Sequence, residues 1–198
     1  MTGIKGMKGN AMSELQPQQE ILTFEQYRSL PDYPRAEVFG GQFRYLPATS
    51  RIHRAIRSEL TERLCSYAGQ KQEDCEVIPA PFDVVLTKQP LTIVHPDIMI
   101  VRNRHKLSGT LCMGTPDFIM EIVSPANAAD VYVRKLHCYY EHGVHEYWIV
   151  DPKNRSVSVN YFKGNLFHVP YTFDSIIKVN LFDDLYINFS NIATCLNL

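Results

Sequence analysis

From Ser50 onward the chain switches between two periodicities. Ile52, Ile56, Leu60 and Leu64 recur every four residues, which predicts an amphipathic helix from Ser50 to about Ala68, stopped by Gly69. Three apolar runs follow, Val77–Leu86, Thr92–Val101 and Phe118–Val123, and each predicts a strand because proline, glycine or polar clusters separate them. Helical spacing returns from about Ala128 to Glu141, ahead of Gly143. Tyr147–Val150 reads as a strand halted at Asp151 and Pro152. Ser156–Tyr161 and Leu166–Val169 read as a hairpin turning on Lys163, Gly164 and Asn165. Further strands are expected at Ile176–Leu181 and Tyr186–Phe189. Upstream, Thr23 caps a short helix through Phe24 and Tyr27 that stops at Pro31, and Gly40-Gly41 turns a hairpin within Ala36–Pro47. Residues 1–20 are polar and dotted with glycine, so a mobile tail is expected there, with one domain over 21–198. The element order predicts an α/β or α+β fold around a central mixed β-sheet, with flanking helices and additional β-hairpins.

Charge breaks this pattern at a few places. Glu121 interrupts Phe118–Val123, whose two faces are otherwise apolar, as in a strand covered on both sides. A buried carboxylate without a partner costs several kcal/mol, so Glu121 requires a cation or a raised pKa. Asp97 opens the apolar run Ile98–Val101, and Asp83 stands in Pro81-Phe82-Asp83-Val84-Val85-Leu86. Asp117 shares a strand face with Glu121, but four residues of strand span about 13 Å, too far to share one cation. Asp97, on a neighbouring strand about 4.8 Å away, comes within reach of the same divalent ion. On the second helix, Ala129, Leu136 and Tyr140 define the expected buried stripe, and Lys135 sits about 100° from Leu136, at its edge. A lysine there either neutralises and polarises a phosphate site or forms a structural ion pair with a buried acid; the residues alone leave both open.

Composition narrows the class. The chain has 198 residues, 45% hydrophobic and 21% charged, which excludes wholesale disorder. A net charge of −1 argues against a polybasic binder. Apolar stretches are short and broken by charges, so neither a membrane span nor a secretory leader is expected. Five cysteines without C-x-x-C spacing point to reduced thiols and a cytoplasmic setting. His137, His142 and His145 cluster in sequence, but five residues of helix turn about 140°, which is poor zinc geometry. Arg51, Arg54, Arg57 and Arg63 line the first helix, as a solvated face or as phosphate contacts.

Pro96-Asp97, then Glu121-x-Val123-Ser124-Pro125, then Lys135, resemble the PD-(D/E)XK nuclease superfamily, and most closely its Uma-two family. The supporting segments are A-P-F-D-V-V-L (80–86), H-P-D-I-M-I-V (95–101), G-T-P-D-F-I-M-E-I-V-S-P (114–125) and G-V-H-E-Y-W-I-V-D-P (143–152). The resemblance spans about residues 22–190. It implies a restriction-endonuclease-like core in which Asp97 and Glu121 bind Mg²⁺ or Mn²⁺. The superfamily lysine stands two residues after the glutamate, where this chain has Val123; Lys135 on the next helix is its expected replacement. Glu37 and His53 match family positions around the acids, and Asp83 is a further candidate for that supporting role. The chain departs from the family pattern at Gly40, Arg54 and Val131, where an aspartate, a glutamine and an acid are usual.

The leading expectation is metal-dependent hydrolysis of a nucleic-acid phosphodiester, with DNA as substrate, catalytic Asp97, Glu121 and Lys135, and a homodimer for duplex cleavage. Arg51, Arg54, Arg57 and Arg102, together with Arg104 and Lys106, are candidate phosphate contacts. Two other readings stand beside it. One is a nuclease-fold module that binds nucleic acid or dimerises without turnover; the other is a buried ionic triad that serves the fold alone.

Overall fold

A computed structural model describes residues 21–30, 36–125, 127–164 and 167–196. The expected tail over 1–20, and Asn165 and Leu166 of the expected hairpin, lie outside the described residues. The chain forms two six-stranded mixed sheets with helices packed against them. The first sheet contains β1 (Ala36–Phe39), β2 (Gln42–Tyr45), β4 (Asp83–Lys88), β5 (Leu91–Val94), β7 (Leu107–Ser108) and β8 (Leu111–Met113), in the order β2-β1-β5-β4-β8-β7. The second contains β3 (Glu76–Pro79), β6 (Ile98–Val101), β9 (Phe118–Ile122), β10 (Glu146–Asp151), β11 (Ser156–Tyr161) and β12 (Phe167–Thr172), in the order β12-β11-β10-β9-β6-β3. Among the described residues, only β9·β10 and β4·β8 pair in parallel. A ribbon of β13 (Ile176–Lys178) and β14 (Tyr186–Asn188) closes the strand set.

The runs 77–86 and 92–101 each read as one strand but form two, and each changes sheet at proline. Ala80-Pro81-Phe82 separates β3 from β4, and Pro96 lies between β5 and β6. Proline offers no N–H to a ladder and restricts the residue before it, so a continuous strand ends there even where the apolar pattern continues. Pro79 pairs with Ile98, and the Ala80 amide donates to the Asp97 carbonyl at 2.8 Å. The two corners therefore lie side by side, with Asp97 at the corner of one and Asp83 just beyond the other.

Helix α1 (Phe24–Arg28) starts from a Thr23–Gln26 capping box. Helix α2 (Arg51–Lys71) is capped by Ser50, whose side chain accepts from the His53 amide. It runs through Gly69 and ends at Gln72 in the left-handed region. Its buried stripe is His53, Ile56, Leu60, Leu64 and Ala68, whereas Ile52 is exposed. These side chains cover one face of the second sheet, against Ile98, Ile100, Phe118, Met120 and Trp148. Fully burying each leucine or isoleucine contributes about 1.5–3 kcal/mol. Helix α4 (Phe189–Leu196), where only strand and chain end were expected, seals the same core with Phe189, Ile192 and Ala193.

On the other face a π-helical segment, Asp130–Lys135, leads into α3 (Leu136–Glu141). The buried positions are Val131, Lys135, Cys138 and Tyr139, not the expected stripe of Ala129, Leu136 and Tyr140. The wider π turn shifts the register of the helix face, so Lys135 sits in the buried stripe rather than at its edge. Met99, Ile119, Tyr147 and Ile149 of the second sheet pack there, together with Val84 and Val94 of the first.

Candidate active site

Strands β6 and β9 pair antiparallel with Ile98 opposite Met120. One step further along this register, Asp97 stands opposite Glu121. Glu121 points to the face that α3 covers, as Ile119 on the same parity does, whereas Asp97, just ahead of β6, turns its carboxylate toward His53 and Arg57 of α2. The Asp97 carboxylate bonds back to the backbone, since the Ile122 amide donates to its Oδ2 at 2.8 Å. His53 Nε2 lies 3.1 Å from that oxygen, and Arg57 Nη1 lies 3.7 Å from Oδ1. His53 Nε2 therefore faces the carboxylate as a donor, and its buried Nδ1 has no hydrogen-bond partner among the described residues.

Glu121 is buried at 2% exposure and Lys135 at 3%. Lys135 Nζ donates to Glu121 Oε1 at 2.7 Å and lies 2.7 Å from Glu37 Oε1. Glu37 belongs to β1 of the first sheet and Glu121 to β9 of the second, so one ammonium ties an acid of each sheet together. The Tyr139 hydroxyl, one helical turn from Lys135, also donates to Glu121 Oε1 at 2.7 Å. Glu121 Oε2 accepts no hydrogen bond from the described residues. Burial pushes the Glu121 carboxyl up to about 8; Lys135 opposes this, while the charges of Asp97 and Glu37 add to it. Burial pulls the Lys135 ammonium down, but Glu121 and then Glu37 outweigh it, and its pKa stands above the ordinary lysine value.

His95 is a member that the residue pattern did not single out. Its backbone amide donates to Glu37 Oε1 at 3.0 Å, and its ring lies 2.8 Å from the Ala36 carbonyl and 3.1 Å from Asp83 Oδ1. Tyr27 on α1 donates to Asp83 Oδ2 at 3.0 Å. Asp83 thus supports the cluster through His95 and Glu37. The sequence signal for His95 was its place beside Pro96-Asp97, and the signal for Tyr139 was its i+4 spacing from Lys135.

The structure brings Asp97, Glu121, Lys135, Glu37, His53 and Arg57 together. It does not bring Arg102 to them. Arg102 follows the far end of β6, where its guanidinium donates to the Leu181 carbonyl at 2.7 Å and lies over the Phe182 ring. Arg104 and Lys106 lie beyond it, bonded to the Cys75 and Thr115 carbonyls. Arg54 is exposed on α2 and donates to the Thr49 carbonyl at 2.7 Å, and Arg51 is exposed at the start of that helix.

Do these residues suit a divalent cation? Among the described residues no three His, Cys, Asp or Glu side chains converge into a ready-made metal cage. Two hard carboxylates stand close enough for the charge of Asp97 to act on Glu121, and the described residues donate no hydrogen bond to Asp97 Oδ1 or Glu121 Oε2. One or two carboxylates, completed by water and substrate phosphate, is the usual protein share of a Mg²⁺ site. The donor set therefore fits Mg²⁺ or Mn²⁺.

Comparison with solved structures places this architecture among nuclease-like folds. A crystal structure of a putative nuclease of the DUF820 group from Anabaena variabilis superposes with a TM-score of 0.74, over 88% of this chain and 99% of that one, at 19% identity. At that identity the likeness shows the fold. The chain belongs to the Uma2 family, described as putative restriction endonucleases, whose model matches residues 24–187. None of the curated proteins matches it. Among the described residues no helix is long and apolar enough to cross a membrane.

Proposed function

We propose that the protein is a metal-dependent endonuclease that hydrolyses phosphodiester bonds of DNA. One observation carries this reading: two buried acids, Asp97 just ahead of β6 and Glu121 on the paired strand β9, with a lysine from the covering helix bonded to Glu121 at 2.7 Å. Membership of the Uma2 family supports it. Asp97 Oδ1 and Glu121 Oε2 are the oxygens that would hold Mg²⁺ or Mn²⁺. A bound ion supplies there an acidified water and neutralisation of phosphate charge. The chain's own residues hold the geometry. His53 and the Ile122 amide fix Asp97, while Tyr139 and Lys135 fix Glu121. Lys135 is the cation placed to meet negative charge that develops on the phosphoryl oxygens as the ester bond breaks. Each chain carries one such cluster, so cutting both strands of a duplex calls for a homodimer or two successive nicks. Five unpaired cysteines agree with a cytoplasmic setting.

A second reading, a nuclease-fold module that binds nucleic acid or dimerises without turnover, draws on one feature. Lys135 stands between Glu37 and Glu121 and already compensates part of their charge. Supercoiled plasmid incubated with the protein in Mn²⁺, with an EDTA control and the Asp97→Asn and Glu121→Gln variants, separates the two. Nicking that needs the metal and both carboxylates is expected. Equal nicking by the variants would overturn the assignment of the site, and DNA binding without nicking would favour the second reading.

A further inference from the structure

Beside Asp97, on the flank of α2, lies a cavity of about 380 Å³ lined by Arg54, Arg57, Ser58, Thr61 and Glu62 and floored by the Pro79–Ala80 corner. Residues 54, 57, 58 and 61 follow i, i+3, i+4, i+7 spacing, so one helix face presents them together. The cavity and the acid cluster share members. Arg57 lines the cavity and reaches to 3.7 Å from Asp97 Oδ1, and Ala80 is bonded to the Asp97 carbonyl at 2.8 Å. At 3.7 Å the Arg57–Asp97 contact is an ion pair without a formed hydrogen bond. The Arg57 guanidinium donates no hydrogen bond to the described residues, and Arg54 spends one nitrogen on the Thr49 carbonyl. Thr61 donates its hydroxyl to the Arg57 carbonyl at 2.7 Å. The lining holds two guanidinium groups and one carboxylate, Glu62, with Asp97 behind Arg57 as the second acid.

We propose that this cavity is a subsite for a backbone phosphate of the polynucleotide, adjacent to the phosphate held at the acid cluster and bound by Arg54, Arg57 and Ser58. The proposal rests on the nuclease reading above and deepens it. Guanidinium forks match phosphate oxygens in pairs, and the Ser58 hydroxyl adds a third donor. Contacts of this kind fix the strand in register and carry no sequence information. The substrate is therefore a polymer gripped through its sugar–phosphate backbone on the α2 side of the site. Arg102, at the opposite end of β6, takes no part.

The test is binding without cleavage. Fluorescence anisotropy of a short fluorescein-labelled DNA duplex, and of its separated strands, is measured across a salt series in EDTA on the Glu121→Gln background. Without a divalent ion, and with one proposed metal ligand replaced, no strand is expected to be cut during the measurement. Arg54→Gln and Arg57→Gln are each expected to weaken binding about tenfold and to lower the slope of log affinity against log salt by about 1. Arg57→Lys, which keeps the charge, should restore the slope, and Arg102→Gln should leave both quantities as in the parent. Arg54 is exposed, so its variant carries the test even where Arg57→Gln fails to fold. Binding with an unchanged slope in both glutamine variants would overturn the subsite, reducing Arg57 to a counter-charge for Asp97, and would leave the nuclease reading intact. A parent that binds neither form of DNA would overturn the DNA reading itself, and the subsite with it.

Discussion

Tyr139 donates its hydroxyl proton to Glu121 Oε1 at 2.7 Å, the same oxygen that Lys135 holds. Burial, then the charges of Glu121 and Glu37, raises the phenol well above its ordinary pKa, so it remains a donor wherever the protein is folded. Tyr139→Phe keeps the ring against Tyr147 and removes only this bond. It should cost about 1–2 kcal/mol in urea unfolding, as expected for a buried hydrogen bond to an ionisable group. An unchanged midpoint would mean that Lys135 alone satisfies Oε1.

The lysine carries a larger share. Lys135 Nζ is 2.7 Å from Oε1 of both Glu37 and Glu121, and all three side chains are buried. Lys135→Met leaves two buried acids without their shared cation and should destabilise the fold by about 3–5 kcal/mol. Adding Glu37→Gln should then cost less than it does in the wild-type background, with a coupling of about 1 kcal/mol or more. Strict additivity in the double-mutant cycle would show that the pair does not interact in solution.

How much of this was legible in the sequence follows from where charge meets pattern. Glu121 stands out because it breaks an apolar run, Asp97 because it opens one and Lys135 because it borders the expected helix stripe, and strand spacing alone separates Asp117 from Glu121. Glu37 and His53 were reachable only through the family resemblance, since nothing in their local pattern marks them as buried. The strand breaks at Pro81 and Pro96 were missed because apolar residues continue across both corners, although the prolines forbid a continuous ladder. The buried face of the second helix departs from α-helical spacing because Asp130–Lys135 is a π-helical turn. Arg102 is near Asp97 in sequence, but five residues of extended chain carry it about 16 Å away. Helix α4 had a readable signal in the spacing of Phe189, Ile192, Ala193 and Leu196, which the strand reading of Tyr186–Phe189 obscured.

The cysteines offer an independent check on the packing. Burial pushes the Cys112 thiol up to about 11 and the Cys138 thiol up to about 12. Cys75 is also buried and raised by burial; burial raises Cys65 too, but Cys65 and Cys195 are exposed to reagent. Iodoacetamide reacts with the thiolate, so at mildly alkaline pH the folded protein should be alkylated at Cys65 and Cys195 only. Peptide mass spectrometry with and without urea checks this. Labelling of Cys138 in the folded state would mean that α3 opens away from the sheet.

Another buried acid lies away from the site, at the start of β10. Glu146 is fully buried, and four N–H groups converge on it. Its Oε1 accepts from Trp148 Nε1 at 2.7 Å and from the Asn180 amide and side chain at 3.1 and 3.0 Å, and its Oε2 accepts from the Leu181 amide at 2.8 Å. No sequence pattern marked it, yet it fastens the turn between β13 and β14 to the core tryptophan. Glu146→Gln replaces one accepting oxygen with an NH₂ that faces N–H donors, which should cost about 1–3 kcal/mol. Burial raises the Glu146 carboxyl above the ordinary glutamate value, with the four bonds opposing the shift. The native state therefore keeps this proton at pH values where the unfolded chain has released it. That contribution is complete below the ordinary value of about 4.3 and is lost as pH rises through the raised native one. Glutamine has no such proton, so the stability gap between wild type and Glu146→Gln should be widest in acid and should narrow as pH rises. Urea unfolding followed by the fluorescence of Trp148, the chain's single tryptophan, measures the gap at each pH. A gap that widens with pH would place the folded carboxyl below its ordinary value, with the four N–H bonds outweighing the cost of burial.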